Sequence, residues 1–103
     1  MTESRQYRTF HDFYPFYLTE HSRSGTRRLH FAGTLLVLLT LVYAVAAGRW
    51  GLLVLVPLFG YGFAWAGHFF VERNRPATFQ YPLYSLAGDF RMFADMLRGR
   101  VGF

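Results

Sequence analysis

Residues 29–48 read LHFAGTLLVLLTLVYAVAAG and, after the single Arg49, residues 50–71 read WGLLVLVPLFGYGFAWAGHFFV. Neither run holds an Asp, Glu, Lys or Arg, and they are 20 and 22 residues long. A helix rises about 1.5 Å per residue, so roughly 20 apolar residues cross a hydrocarbon core of about 30 Å. Each run meets that length. A soluble reading would require the rest of a 103-residue chain to enclose both helices on all sides, which a domain of this size cannot do. The sequence therefore predicts an all-α membrane protein, a single membrane domain over residues 1–103, with a hairpin of spans at about 29–47 and 51–71.

The connection, Gly48-Arg49-Trp50-Gly51, is short enough to make the two spans antiparallel neighbours, and Trp50 suits a membrane interface. The chain has 11 arginines, no lysine and six acidic residues, for a net charge of +5. Ten arginines lie outside the turn: Arg5, Arg8, Arg23, Arg27 and Arg28 before the hairpin, Arg73, Arg75, Arg91, Arg98 and Arg100 after it. By the positive-inside rule both termini face the cytoplasm. The positive charge flanks membrane spans rather than clustering on a soluble fold, so it does not indicate nucleic acid. Exclusive use of arginine hints at a GC-rich genome and so at a bacterial inner membrane. Ala44-Val45-Ala46 resembles a signal-peptidase site, but a second apolar run follows at once and no cleavage is expected. Without cysteine there are no disulfides, Cys-ligated metals or thiol nucleophile.

Both flanks carry helical patterns. Residues 7–21, YRTFHDFYPFYLTEH, place Phe10, Phe13, Tyr14 and Tyr17 at helical spacing, with Thr9 or Asp12 as the N-cap and Pro15 tolerated in a first turn. After Pro76 and Pro82, residues 83–100 repeat apolar positions at Leu86, Phe90, Phe93 and Leu97, with Gly99 as a stop. Interfacial amphipathic helices are expected at about 10–21 and 83–98, lying against the lipid bilayer.

The chemistry-bearing residues are four histidines, His11, His21, His30 and His68. His30 opens the first span and His68 closes the second, so an antiparallel hairpin sets them at one depth. Small residues mark the faces where membrane helices approach. They form a stripe with His30 in the first span (Gly33, Thr40, Ala44, Ala47) and with His68 in the second (Gly60, Ala64, then Glu72). These stripes turn the two histidines toward each other. Glu72, four residues after His68, could share a metal with it, and the segment Ser22-Arg23-Ser24-Gly25-Thr26 could fold His21 back onto His30. Imidazole and carboxylate suit iron, zinc, copper or manganese alike. Two facing histidines also suit a bis-histidine haem. A non-catalytic membrane scaffold, its histidines only hydrogen-bonding, is the third reading.

The runs FYPFYLTEHSRSGTRRLHFAGT and GHFFVERNRPATFQYPLYSLAGDFRMF resemble a family of small multi-pass membrane proteins over roughly residues 10–95. Its fungal member is an iron(II)-dependent 2-hydroxy fatty acid dioxygenase of phytosphingosine degradation. The motif G-H-x-x-x-E-x-x-x-P-A is met by Gly67, His68, Glu72, Pro76 and Ala77, and a second motif by His21, His30 and Gly33.

The resemblance implies α-oxidation, in which a long-chain 2-hydroxy fatty acid and O2 give the fatty acid one carbon shorter. It implies Fe2+ held by His21, His30 and His68, with Glu72 as a fourth ligand or as a partner of a ligand. The acid's carboxylate and 2-hydroxyl would chelate that ion, Arg75 or Arg28 would pair with the carboxylate, and Asn74 would hydrogen-bond a ligand histidine. The acyl tail would stay in the bilayer or in a groove bordered by Phe69 and Phe70. A homo-oligomer is compatible with all of this. The arginine asymmetry generates one test: a reporter fused after Phe103 should be active only if it is the cytoplasmic type, and periplasmic activity would overturn the orientation.

Overall fold

The computed structural model describes residues 7–103, so Arg5 of the charge pattern lies outside the described residues. Four α-helices form, and no strand occurs among the described residues. They are α1 (Phe10–Thr19), α2 (Ser24–Ala46), α3 (Leu55–Ala66) and α4 (Pro82–Leu97). A 3-10 segment, Trp50–Val54, leads into α3, and a π-helical segment, Gly67–Glu72, continues it. The helical rod Trp50–Glu72 is thus 23 residues long, as α2 is, and both are long and apolar enough to cross a membrane. Only 28% of the most apolar window of α2 and 17% of that of the second rod are buried. The core helices of a soluble protein would be covered instead, so this is the fold of a membrane protein.

α2 begins before the apolar run, so Thr26, Arg27 and Arg28 form its first turns. Its far end closes through Gly48 at φ 65°, the left-handed residue of a turn in which the Arg49 N–H donates to Ala44 C=O at 2.9 Å. Between the rods, Thr26, His30, Gly33, Thr34, Val37 and Ala44 of α2 are buried, facing Ala64, Gly67 and His68. Thr40 is half-buried and Ala47 exposed, so the small-residue stripe fades toward the turn.

At the end opposite the turn, α1 and α4 pack into an aromatic layer. Of the two cap candidates, Thr9 caps α1: its Oγ1 accepts from the Asp12 N–H at 3.1 Å, which sets Pro15 in the second turn rather than the first. Phe13, Tyr14 and Tyr17 of α1 are buried with Tyr81, Met92 and Met96. Tyr14 donates to Asp95 at 2.8 Å, beneath the Arg91 guanidinium. Burial, reinforced by that carboxylate, pushes the Tyr14 hydroxyl well above its ordinary range.

The inward face of α4 is not the apolar row that the pattern singles out. Ser85, Gly88, Met92, Asp95 and Met96 face inward, whereas Leu86 and Leu97 are largely exposed. The physical reason is contact distance. A Cβ on Gly88 would stand 2.7 Å from the Tyr17 ring, so only glycine lets α4 approach there. The bulkier apolar residues are left outward, where a membrane would meet them.

Gly33 has the same role between the spans. A Cβ there would meet the Phe59 carbonyl oxygen and Phe63 Cβ, both at 2.8 Å, whereas one on Gly60 meets Val37 at an ordinary 3.6 Å. Gly33→Ala should therefore destabilise by about 1–3 kcal/mol through overpacking against backbone. Gly60→Ala should be neutral or stabilising by up to about 1 kcal/mol through helix propensity. Thermal unfolding in detergent checks this, and equal midpoints for the two variants would contradict the packing assignment.

Candidate metal centre

Three of the four histidines meet where the aromatic layer joins the hairpin. His21 lies in the connection between α1 and α2, His30 on α2, and His68 on the π-helical segment, and all three are buried. Their Nε2 atoms point at one another, His21 to His30 at 3.1 Å and His30 to His68 at 3.3 Å. The potential ligand atoms of all three lie within 4.8 Å of one another. His11 is exposed on α1 and takes no part.

Each ring is held from behind through Nδ1. That of His21 is 2.7 Å from Tyr17 C=O, that of His30 is 3.3 Å from the Asp89 carboxylate, and that of His68 is 2.7 Å from Asn74 Oδ1. The Asn74 carboxamide is itself oriented, because its Nδ2 donates to Glu20 C=O at 3.0 Å. Asp89 also accepts from the Tyr17 hydroxyl. A carbonyl and a carboxamide oxygen can only accept, so Nδ1 of His21 and of His68 must carry its proton and donate, and the Asp89 carboxylate beside His30 Nδ1 favours the same tautomer there. In the neutral imidazoles the three Nε2 atoms are then bare acceptors facing one another with no proton between them.

Protonation does not resolve this contact at His21. Burial, with the neighbouring His30 ring next in size, drives its pKa down to about 2. A cation does resolve it. Two nitrogens bound at about 2.1 Å with angles of roughly 90–110° stand about 3.0–3.4 Å apart, and the observed edges of 3.1 and 3.3 Å lie in that range. An outer partner on each ligand histidine is what fixes the tautomer and aims the ring in metal sites. The donor set and its support therefore fit a metal ion.

Local sequence explains the convergence. The π-helical turn starts at Gly67, where a Cβ would press on Thr26 Cα at 3.3 Å, so the two rods touch one turn from the histidines. Single π-turns within α-helices often mark functional sites. Arg73 ends the segment in the left-handed region at φ 62°, and this reversal brings Asn74 back beside His68, with its N–H donating to His68 C=O at 2.9 Å. On the other side, the Arg27 guanidinium donates to the carbonyls of His21 and Ser22 at 2.9 and 2.8 Å, which pins the fold-back that delivers His21.

Glu72 stands at the first turn of α2. Its carboxylate accepts from the backbone N–H groups of Ser22 and Arg23 at 3.2 and 3.0 Å, from Thr26 Oγ1 at 2.7 Å and from the Ser22 hydroxyl. α2 has no side-chain cap from its own N-cap residue, and Glu72 instead places a carboxylate at its N-terminus from another helix, bonded to the N–H groups of the two residues that precede it. Arg75 stacks over Phe79 at 4.9 Å, and Arg28 is exposed on α2. Neither lines the cavity beside the histidines.

That cavity, about 20 Å³, is bordered by Tyr61, Trp65, Thr78, Ser85 and Asp89 together with the three rings. It has room for about one small molecule the size of water. Ser85 is 6% exposed, and its Oγ has no hydrogen-bond partner among the described residues. Tyr17, Ser85 and Asp89 were not among the site candidates read from sequence. The available signal was the spacing Ser85, Gly88, Asp89, Met92, which puts a hydroxyl and a carboxylate on the small, closely packed face of α4.

No curated protein and no solved structure matches the chain. The profile of a family described as 2-hydroxy-palmitic acid dioxygenase Mpo1-like matches residues 7–101, a stretch that includes all three clustered histidines and the partners of each. With nearly the whole chain matched, this protein belongs to the Mpo1-like family.

Proposed function

We propose that the protein is a membrane-embedded, iron(II)-dependent dioxygenase that shortens a long-chain 2-hydroxy fatty acid by one carbon. The observation that carries this reading is the triad of bare Nε2 atoms on His21, His30 and His68, in a chain of a family described by that dioxygenase activity. The reaction closes as R–CHOH–COOH + O2 → R–COOH + CO2 + H2O, with the C1–C2 bond broken and C2 oxidised to the new carboxyl. Iron(II), when bound, supplies the redox and Lewis-acid chemistry for this step.

The chain's own residues hold and orient. His21, His30 and His68 are the metal ligands in this reading, and Tyr17, Asp89 and Asn74 fix their tautomers. Glu72, which the motif offered as ligand or partner, fastens the 22–26 segment that separates His21 from His30. The unpartnered Ser85 hydroxyl donates to an oxygen of the substrate's head group. We assign Arg75 and Arg28, which stand outside the cavity, to the approach of the anionic head group. The hairpin lies in the bilayer with the histidine end toward the cytoplasm. Arg27, Arg28, Arg73 and Arg75 gather at that end and Arg49 alone marks the other, which supports the orientation.

A haem between His30 and His68 is disfavoured. A third imidazole stands 3.1 Å from one of the two nitrogens, which themselves stand only 3.3 Å apart. A scaffold without metal leaves the three facing acceptors unexplained.

Metal analysis of detergent-purified variants tests the ligand set. His68→Ala should lose most of the iron while His11→Ala keeps it. Asn74→Ala and Asp89→Asn should each weaken iron binding by about 10–100-fold, as removal of an outer partner does. Equal retention in His68→Ala and His11→Ala would reject the site. Oxygen uptake tests the reaction. A long-chain 2-hydroxy acid should yield the acid one carbon shorter, and the non-hydroxylated acid should not react. Ser85→Ala should raise KM by about tenfold with iron content unchanged, the loss expected for one hydrogen bond to a charged group. Iron-loaded, folded protein that consumes no oxygen with any 2-hydroxy acid would overturn the dioxygenase reading.

A further inference from the structure

A second cavity, about 330 Å³, runs along the groove between α2 and α3 beneath α4. It shares His30, Tyr61 and Asp89 with the small histidine cavity, so the two adjoin at those side chains. Apart from Thr34 beside that junction, polar side chains occur only where they meet. The rest is walled by Val37 and Leu41 of α2, Val56 and Pro57 at the α3 end, and Leu86 and Phe90 of α4. Gly60 on the α3 side, with no side chain of its own, leaves the middle open.

We propose that this groove holds the acyl chain of the substrate. The inference rests on the dioxygenase reading for the identity of the head group. The form of the groove supplies the rest: one polar end at the histidines, an apolar body, and an edge of two partly exposed α4 side chains, Leu86 and Phe90. A transmembrane helix of another copy would need an open face, and it could not follow the groove under α4 to His30. A single alkyl chain can.

The length is also right. From His30 to Leu41 is 11 residues of α2, or roughly 16 Å of wall at about 1.5 Å per residue. With C–C bonds near 1.5 Å and a zigzag advance of about 1.25 Å per carbon, that wall accommodates roughly a dozen methylenes. The groove therefore takes most of a long-chain acid and is barely used by a short one. The alternative course past Phe69 and Phe70 leads into a different cavity, lined by Arg73, Asn74, Arg75 and Phe79, with no histidine on its wall.

The far end of the groove is where the proposal is exposed to test. A 2-hydroxyhexadecanoic acid with a photoreactive diazirine at its terminal carbons is bound to the purified protein, irradiated, and its attachment mapped by mass spectrometry. Attachment at Leu41, Val56 or Pro57, suppressed by excess unlabelled acid, is the expected result. Attachment at Phe69, Phe70 or Phe79 overturns the groove, as does unsuppressed attachment spread over the outward residues Leu39, Val42 and Leu58.

Leu41→Trp and Val56→Trp fill that end from opposite helices, so one folded variant suffices. Each should lower kcat/KM for the 16-carbon acid by about tenfold, equivalent to roughly two methylenes lost from burial. Each should leave an eight-carbon 2-hydroxy acid within about twofold of the unmodified protein, since that chain ends short of the block. Equal losses for both acids in folded, iron-loaded variants would overturn the proposal. Competed attachment in the groove without oxygen uptake would support the acyl site and remove the dioxygenase reading. Oxygen uptake with attachment elsewhere would remove the groove alone.

Discussion

Three buried imidazoles with their Nε2 lone pairs aimed at a common point define an arrangement that neutral histidines do not adopt by preference. Lone pairs 3.1 and 3.3 Å apart repel, and burial denies His21 the proton that would relieve the contact. The rings stay because each is held by its other nitrogen, through a backbone carbonyl, a carboxylate and a carboxamide. Those three acceptors come from three different parts of the fold: α1, α4 and the loop after the π-helical turn. The tertiary structure is thus arranged to present acceptors to something positive, and a cation bound among them would turn their mutual repulsion into attraction.

The supports behind those acceptors link different elements of the fold. Glu72, on the second rod, closes the N-terminus of α2, and Asn74, two residues on, ties His68 to the last residue before the α1–α2 connection, Glu20. Arg27, on α2, secures the carbonyls of that same connection and that of Gly102 near the C-terminus. The Glu20 carboxyl is raised above its ordinary range by burial and then by the charge of Glu72, which marks how closely the two segments approach. Removing one of these contacts would loosen a histidine on a neighbouring segment, because each link crosses between the elements that carry the three histidines.

Much of this was legible in the sequence, for reasons that also explain what was not. Two charge-free runs of membrane length fix the hairpin, and the small-residue stripes at Gly33, Ala44 and Ala64 fix which faces meet, so His30 and His68 can be brought together by periodicity alone. His21 depended on a fold-back that periodicity does not encode; Arg27 and Glu72, which hold it, act through backbone groups invisible in a sequence. Asp89 and Ser85 were hidden by α4 itself. A helix with apolar residues on its outward face reads as having its buried side there, and the closely packed face of Ser85, Gly88 and Met92 looks merely polar and small. The π-helical turn was likewise unreadable, since Gly67–Glu72 has ordinary α-helical composition and its wider turn follows from contact with Thr26 and the left-handed Arg73.

The depth of the triad gives these parts a common logic. The histidines sit where the apolar rods meet the aromatic layer, so one side of the site is built from polar partners and the other adjoins a groove of Val, Leu, Pro and Phe side chains. A membrane imposes the same division along its normal, with head groups at the interface and chains in the hydrocarbon. An amphiphile held by the protein therefore need not leave the orientation it has in the bilayer. A head group could reach the three histidines without being pulled into water, and its chain could remain in apolar surroundings throughout. In a chain of 103 residues that removes the need for a domain large enough to enclose a lipid: the bilayer covers what α4 does not.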